Sequence, residues 1–158
     1  MEGTEPRDIS PKPTSDPGQA ARLLEQDIMH EWARRWSEHD VDQLVALFTD
    51  DVVYEDVTLG AVNRGKQQLR AFVRGFFVGF PDAVFELTTS FVAGDRGVGE
   101  WVVRATHRGD LLGLRATGKT INVRGATVVE LADGKIRRNS DYWDMATALR
   151  QIGLMPAT

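Results

Sequence analysis

The stretch Gly99–Asp144 most constrains what this chain can fold into, because it reads as three long β-strands in succession. Val98–Arg108 and Thr120–Leu131 are rich in Val, Ile, Trp and Thr, and Ala132-Asp133-Gly134 turns tightly into a further strand, Lys135–Trp143. Gly109–Lys119, which holds three glycines, is a longer excursion between the first two. A polar group among apolar neighbours on such strands is either a satisfied structural residue or the working end of a pocket. Two such groups stand out, His107 and Asp141. The stretch reads as the curved wall of a pocket, and the chain before it as floor and lid.

The preceding chain supplies helices. Met1–Ser15 is rich in Pro, Ser, Thr and charge and reads as a disordered tail, leaving residues 16–158 as one domain. Ser15-Asp16-Pro17 is a helix start, and Leu24, Ile28, Met29, Trp32 and Trp36 recur at helical spacing to about Glu38. Asp40 caps a second, short helix carrying Leu44, Leu47 and Phe48, ended by Asp50-Asp51. Val52–Asp56 reads as a short strand and Thr58–Gly65 as a loop. A third helix from Gly65 presents Leu69, Phe72, Val73, Phe76 and Phe77 and stops at Phe80-Pro81. Ala83–Val92 is a strand, and Ala93–Gly97 is a hairpin turn. Asp144 caps a last helix, Met145–Ile152, with Gly153 as its stop. Helices segregated from antiparallel strands argue an α+β fold, a strongly curved, cone-shaped antiparallel sheet wrapped around helices. The apolar mouth of such a cone is a natural ligand site.

Composition removes several functions. There is no cysteine among the 158 residues, which excludes disulfides, a thiolate nucleophile and a Cys-ligated metal and fits a cytoplasmic protein. A net charge of −4 argues against nucleic acid as partner. No apolar run approaches a membrane span. No Gly-rich phosphate loop, GxSxG, HExxH or EF-hand loop is present. His30 and His39, on or just after the first helix, read as solvated, and neither makes a metal-ligand spacing with His107. No metal and no cofactor is expected.

The order of elements resembles the nuclear-transport-factor-2-like fold, a cystatin-like α+β barrel. The segment Thr106-His107-Arg108-Gly109-Asp110-Leu111-Leu112-Gly113, then Thr117-Gly118-Lys119 and the Asp133-Gly134-Lys135-Ile136 turn, resembles the SnoaL-like polyketide cyclase family. Tyr54–Phe77, with Arg64-Gly65-Lys66, fits that family too. Ser140-Asp141-Tyr142-Trp143-Asp144 and the helix after it are also similar to limonene-epoxide-hydrolase-like proteins. The likeness spans about residues 20–153. In the cyclases a histidine of the Thr-His-x-Gly segment lies in the pocket, which implies His107. Where they carry an acid/base carboxylate near the third strand, this chain has Asn122. In the epoxide hydrolases a tyrosine and an asparagine two residues apart help hold a water, matched here by Tyr54 and Asp56. Their late carboxylate is matched by Asp141. Their Arg-x-Asp pair has no counterpart, since the aligned region offers Ala105 and His107.

Each candidate has a structural alternative. Asp141 shares a strand face with Asn139 and Trp143, and a carboxylate beside an aromatic ring in a dry pocket has a raised pKa. It could instead cap a turn, although Asp144 is the better helix cap. His107 shares parity with Trp101, Val103 and Ala105 and could pair with Asp141 or Asp56, or be a core or surface histidine. Tyr54 and Asp56 alternate onto one face, as hydrogen-bond donor and water holder or as a tied hydroxyl and a turn opener. Asn122 shares a face with Arg124 and is expected in the cavity as a substrate-binding residue, the alternative being an outer, dimer-facing side. Trp32, Trp101, Trp143 and Phe76 are core residues that also line any cavity and would contact substrate.

The resulting expectation is a cofactor-free acid/base enzyme in which Asp141, assisted by His107, Tyr54 and Asp56, moves a proton on a hydrophobic polyketide- or terpenoid-like molecule, as a cyclase or isomerase. One alternative is an epoxide hydrolase that activates water. Another is a non-catalytic ligand-binding or dimerisation module. The resemblance implies a homodimer through the outer sheet face.

Overall fold

The computed structural model of the protein describes residues 17–157. The expected tail, the Ser15-Asp16 part of the first cap and the side chain of Leu24 lie outside these described residues.

Helix α1 spans Pro17–Glu38. It buries Ile28, Met29, Trp32, Ala33 and Trp36 along one face, while Glu31, Arg34, Arg35 and Glu38 pair on the other. Those partly exposed pairs contribute little stability, and the aromatic face is what holds the helix. α1 ends at His39, whose φ is 60°. His39 is not solvated as expected: it is half-buried, its Nε2 lies 2.7 Å from the Ala83 carbonyl oxygen, and its ring stacks on Phe77 at 4.5 Å. The reversal of the chain here turns the imidazole back onto the helix–sheet junction. His30 is exposed.

Helix α2 is only Val41–Val45, with Asp40 accepting from Gln43 N at 3.0 Å as its cap. Strand β1, Phe48–Asp56, starts earlier than the apolar spacing implied. Phe48 is therefore a strand residue, and Asp50 and Asp51 are exposed positions within β1. The strand is drawn out from that point because Ile136 N donates to the Leu47 carbonyl at 2.9 Å. The expected loop after it contains a short strand, β2, Ala61–Arg64. Helix α3, Gly65–Gly79, buries Leu69 and Val73 and presents Phe72, Phe76 and Phe77 beside them. It is followed by β3, Val84–Ala93; β4, Arg96–Thr106; β5, Thr120–Ala132; β6, Lys135–Trp143; and α4, Met145–Gln151. Asp144 caps α4 through Thr147 N at 2.9 Å, and Gly153, at φ 82°, follows it.

The six strands form one curved sheet in the order β2-β1-β6-β5-β4-β3. β3 to β6 pair antiparallel as expected, but β1 lies parallel to β6, so the sheet is mixed and not wholly antiparallel. Register shifts between Leu87 and Thr89, Glu130 and Leu131, and Phe48 and Val53 mark bulges. Bulges bend a strand and increase its twist, which curls the sheet around α1 and α3. The concave face buries Trp101, Val103 and Ala105 of β4 and Ile121, Val123, Thr127, Val129 and Leu131 of β5.

Candidate active site in the concave face of the sheet

Three neighbouring rungs of the ladder build the site. On the first, Asp56 of β1 pairs with Asp141 of β6, which faces Thr127 of β5. On the second, Tyr54 pairs with Asn139, which faces Val129. On the third, Trp143 faces Gly125, which faces Trp101. The pleat sends all of these inward, because each differs by two residues from the next along its strand. Gly125 is required here: a Cβ on it would sit 2.3 Å from Trp101 Cη2, so only glycine lets the indole lie across β5.

Asp141 is the hub. Its Oδ1 accepts from Thr127 Oγ1 at 2.7 Å and from Asn139 Nδ2 at 2.8 Å, and its Oδ2 accepts from the Tyr54 hydroxyl. Behind these donors, Trp101 Nε1 donates to Thr127 Oγ1 at 2.9 Å and Trp32 Nε1 to Asn139 Oδ1 at 3.1 Å. Burial pushes the Asp141 pKa up from 3.8 to about 6, against the hydrogen bonds from Tyr54, Thr127 and Asn139, and the negative Asp56 adds to the rise. Burial likewise raises the Tyr54 hydroxyl well above its ordinary value, helped by the Asp141 charge. Asp56 is also raised by burial, opposed by bonds from Leu59 N and from Trp143 Nε1, which lies 3.0 Å from both of its oxygens.

A cavity of about 540 Å³ opens between this face, α3, α4 and the 107–119 segment. Asp141, Tyr54, Asp56 and His107 all line it, as do Trp32, Trp101, Trp143 and Phe76. The remaining wall is mainly apolar, including Trp36, Phe72, Phe80 and Phe85. Leu111, Leu112 and Leu114 close one side from a small turn in which Leu111 and Leu114 bridge each other. Among the described residues, no arginine or lysine lines the cavity. Among the described residues there is no group of three or more His, Asp or Glu side chains placed to hold a metal ion, and no helix long and apolar enough to cross a membrane.

Two expectations change. Asn122 does not reach the cavity: it is exposed on the convex face, beside Arg104 and Thr106 in a shallow groove, because the buried Ile121 and Val123 that flank it take the inward positions. His107 is buried on the cavity wall but pairs with neither carboxylate. It sits one residue past β4, where His107 N donates to the Lys119 carbonyl, and its Nδ1 lies 3.2 Å from Thr117 Oγ1. The oxygens of Asp141 and Asp56 are already engaged by other donors. Thr127 and Asn139 were not singled out as site residues by sequence reasoning. Thr127 had a readable signal, as the polar member of the inward set Ile121, Val123, Thr127, Val129 and Leu131.

A model of the SnoaL-like polyketide cyclases matches residues 26–152. The chain belongs to that family. No curated protein matches it in sequence. Among solved structures, it is similar to a candidate SnoaL-like polyketide cyclase from Jannaschia sp. CCS1, with 19% identity over 98% of this chain and 100% of that one and a TM-score of 0.75. A protein of ketosteroid isomerase-like fold from Catenulispora acidiphila, in complex with trimethylamine, is 24% identical over 82% of this chain and 94% of that one, with a TM-score of 0.73. AclR, a candidate hydroxylase from Streptomyces galilaeus, is 21% identical over 89% of this chain and 85% of that one, with a TM-score of 0.73. These likenesses establish a ketosteroid isomerase-like, nuclear-transport-factor-2-like fold for this SnoaL-like chain, a fold that does not by itself specify a reaction.

Proposed function

We propose that this SnoaL-like protein is a cofactor-free acid/base enzyme that moves a proton on a hydrophobic, polyketide- or terpenoid-like small molecule, in a cyclisation or isomerisation. The observation that carries this is Asp141: a carboxylate with its pKa raised to about 6, set in the wall of an aromatic cavity and bonded to Tyr54. Such a group is mostly ionised at neutral pH and still close enough to it to exchange protons efficiently. In the proposed step the C–H bond beside a substrate carbonyl breaks, the proton goes to Asp141, and the electron pair moves onto the carbonyl oxygen. Protonated Asp141 can then donate to the Tyr54 oxygen, which frees the Tyr54 O–H for that oxygen. Asp56, held by Trp143 and Leu59, keeps a second carboxyl close and adds to the rise in Asp141. His107 offers a separate polar contact on the wall for orienting substrate.

The test is a ligand screen of polycyclic and terpenoid compounds, followed by turnover of those bound. Asp141→Asn should bind ligand and lose turnover; an unchanged rate removes Asp141 from the mechanism. The rate should rise with pH through about 6, as Asp141 ionises. A water-activating, epoxide-opening reading draws on the Tyr54–Asp141 contact, and incorporation of labelled water oxygen into product would favour it. The engagement of Asp56 with Trp143 and Leu59 speaks for proton transfer instead.

The family resemblance also supports proposing residues 16–158 as one functional domain, in a cytoplasmic homodimer. Its interface would be the convex sheet face, where Phe91 is 64% and Tyr142 48% exposed and Val98 and Val128 lie between them. Sedimentation of Phe91→Asp against the parent reads this directly: a dimeric parent and a monomeric variant support it.

A further inference from the structure

The wiring behind Asp141 determines which of its two oxygens can carry the proton. An indole N–H can only donate. Trp101 Nε1, at 2.9 Å, therefore occupies Thr127 Oγ1 as a donor, and Trp32 Nε1, at 3.1 Å, does the same to Asn139 Oδ1. A threonine hydroxyl has one proton to give, and with the indole arriving from one side that proton points to Asp141 Oδ1. The amide of Asn139 is fixed likewise: its oxygen faces Trp32, so its N–H faces Asp141 Oδ1. Two donors thus converge on Oδ1. A proton placed on that oxygen would collide with one of them. Thr127 and Asn139 are fully buried and lie behind the cavity wall, whereas Tyr54, the one hydrogen-bond partner of Oδ2 among the described residues, lines it.

We propose that Trp101 and Trp32 are positioning residues whose indole N–H groups fix the direction of two hydrogen bonds into Asp141 Oδ1, so that proton exchange is confined to Oδ2 on the cavity side. The proposal rests on Asp141 being the acid/base group, and it gives the two tryptophans a task besides walling the cavity. The proton donated by substrate lands on Oδ2, next to the Tyr54 hydroxyl. Oδ1 keeps the same two donors in both protonation states. The carboxyl group cannot rotate to present its other oxygen without breaking both chains.

The test follows ionisation and needs no substrate. In the full chain, the Asp141 carboxyl carbon and the four indole N–H groups are followed by NMR from about pH 4.5 to 8, with indoles assigned by Trp→Phe variants. The Trp101 and Trp32 resonances should shift with the Asp141 midpoint. The indole of Trp36, whose buried Nε1 has no hydrogen-bond partner among the described residues, should not follow that midpoint. Thr127→Val should raise the Asp141 midpoint by roughly one pH unit and abolish the titration of the Trp101 indole. Thr127→Ser, which keeps the hydroxyl, should restore both. Trp101 and Trp32 resonances indifferent to Asp141 would overturn the proposal, and so would a midpoint unmoved in Thr127→Val. If Thr127→Val does not fold, the unmodified protein's titration decides alone. A failure here leaves the turnover test of Asp141→Asn untouched, and an unchanged rate in Asp141→Asn would remove the base role while the ionisation data stand.

Discussion

Replacing Asp141 by asparagine should make the protein more stable near neutral pH, and the size of the effect follows from the site. A carboxyl moved from 3.8 in the unfolded chain to about 6 in the folded one costs about 3 kcal/mol once ionised, at about 1.4 kcal/mol per pH unit. The sign is fixed by proton counting. Between those two values the folded protein holds the proton and the unfolded chain has released it, so stability falls as pH rises through the window. Asparagine is nearly isosteric and cannot ionise. Its carbonyl oxygen can take the Thr127 and Asn139 donors, and its N–H can donate to the Tyr54 oxygen. Urea unfolding of both proteins, followed by tryptophan fluorescence, should give a stability difference that grows in favour of Asp141→Asn by about 2–3 kcal/mol from about pH 4 to about pH 7. Asp82 and Asp144, whose hydrogen bonds to Thr106 and Thr147 lower their pKa values, act in the opposite direction but are present in both proteins and cancel in the difference. A difference that stays flat with pH, or grows in favour of the parent, refutes the claim that Asp141 is held in a desolvated, acid-weakening site.

Tyr54→Phe removes one donor to Asp141 and should move the acid limb of the pH–rate profile upward, with ligand affinity largely kept; a limb that stays in place argues against the contact. Gly125→Ala forces a Cβ into the Trp101 ring and should cost about 1–3 kcal/mol in thermal or urea unfolding while displacing the indole from Thr127, visible as a changed indole N–H resonance. Asp144→Ala removes the cap of α4 and should lower the thermal unfolding midpoint slightly with turnover unchanged, which separates the structural aspartate from Asp141, only three residues before it.

The sequence makes the strands β3 to β6 legible because apolar residues alternate along them, and the same alternation marks Asp141 and His107 as polar intrusions. What escaped were features with no local signal. β2 is four residues at the sheet edge, paired only with β1, and carries no apolar run. Phe48 continues the helical spacing of Leu44 and Leu47, so its capture by the sheet depends on β6, far along the chain. The parallel register of β1 on β6 is equally remote. Asn122 was decidable: Ile121 and Val123 claim the inward positions once one of them is anchored, and that leaves the asparagine outside. The His107–carboxylate pair failed for a different reason. Strand parity says which wall a residue is on, but not how far along that wall its hydrogen-bonding partner lies.

The parallel seam between β1 and β6 has a consequence for how the protein reaches its native state. Tyr54 and Asp141 are 87 residues apart, and the seam that joins them closes more than half of the 158-residue chain into a loop. The entropy of that closure must be met before the contacts it permits can offset it, which makes the seam a late event in folding. Until it zips, Asp141 is an ordinary hydrated carboxylate of normal acidity. The weakened acidity of this position is therefore a property that emerges only late in assembly, and a partly folded or truncated chain lacking either strand would not have it.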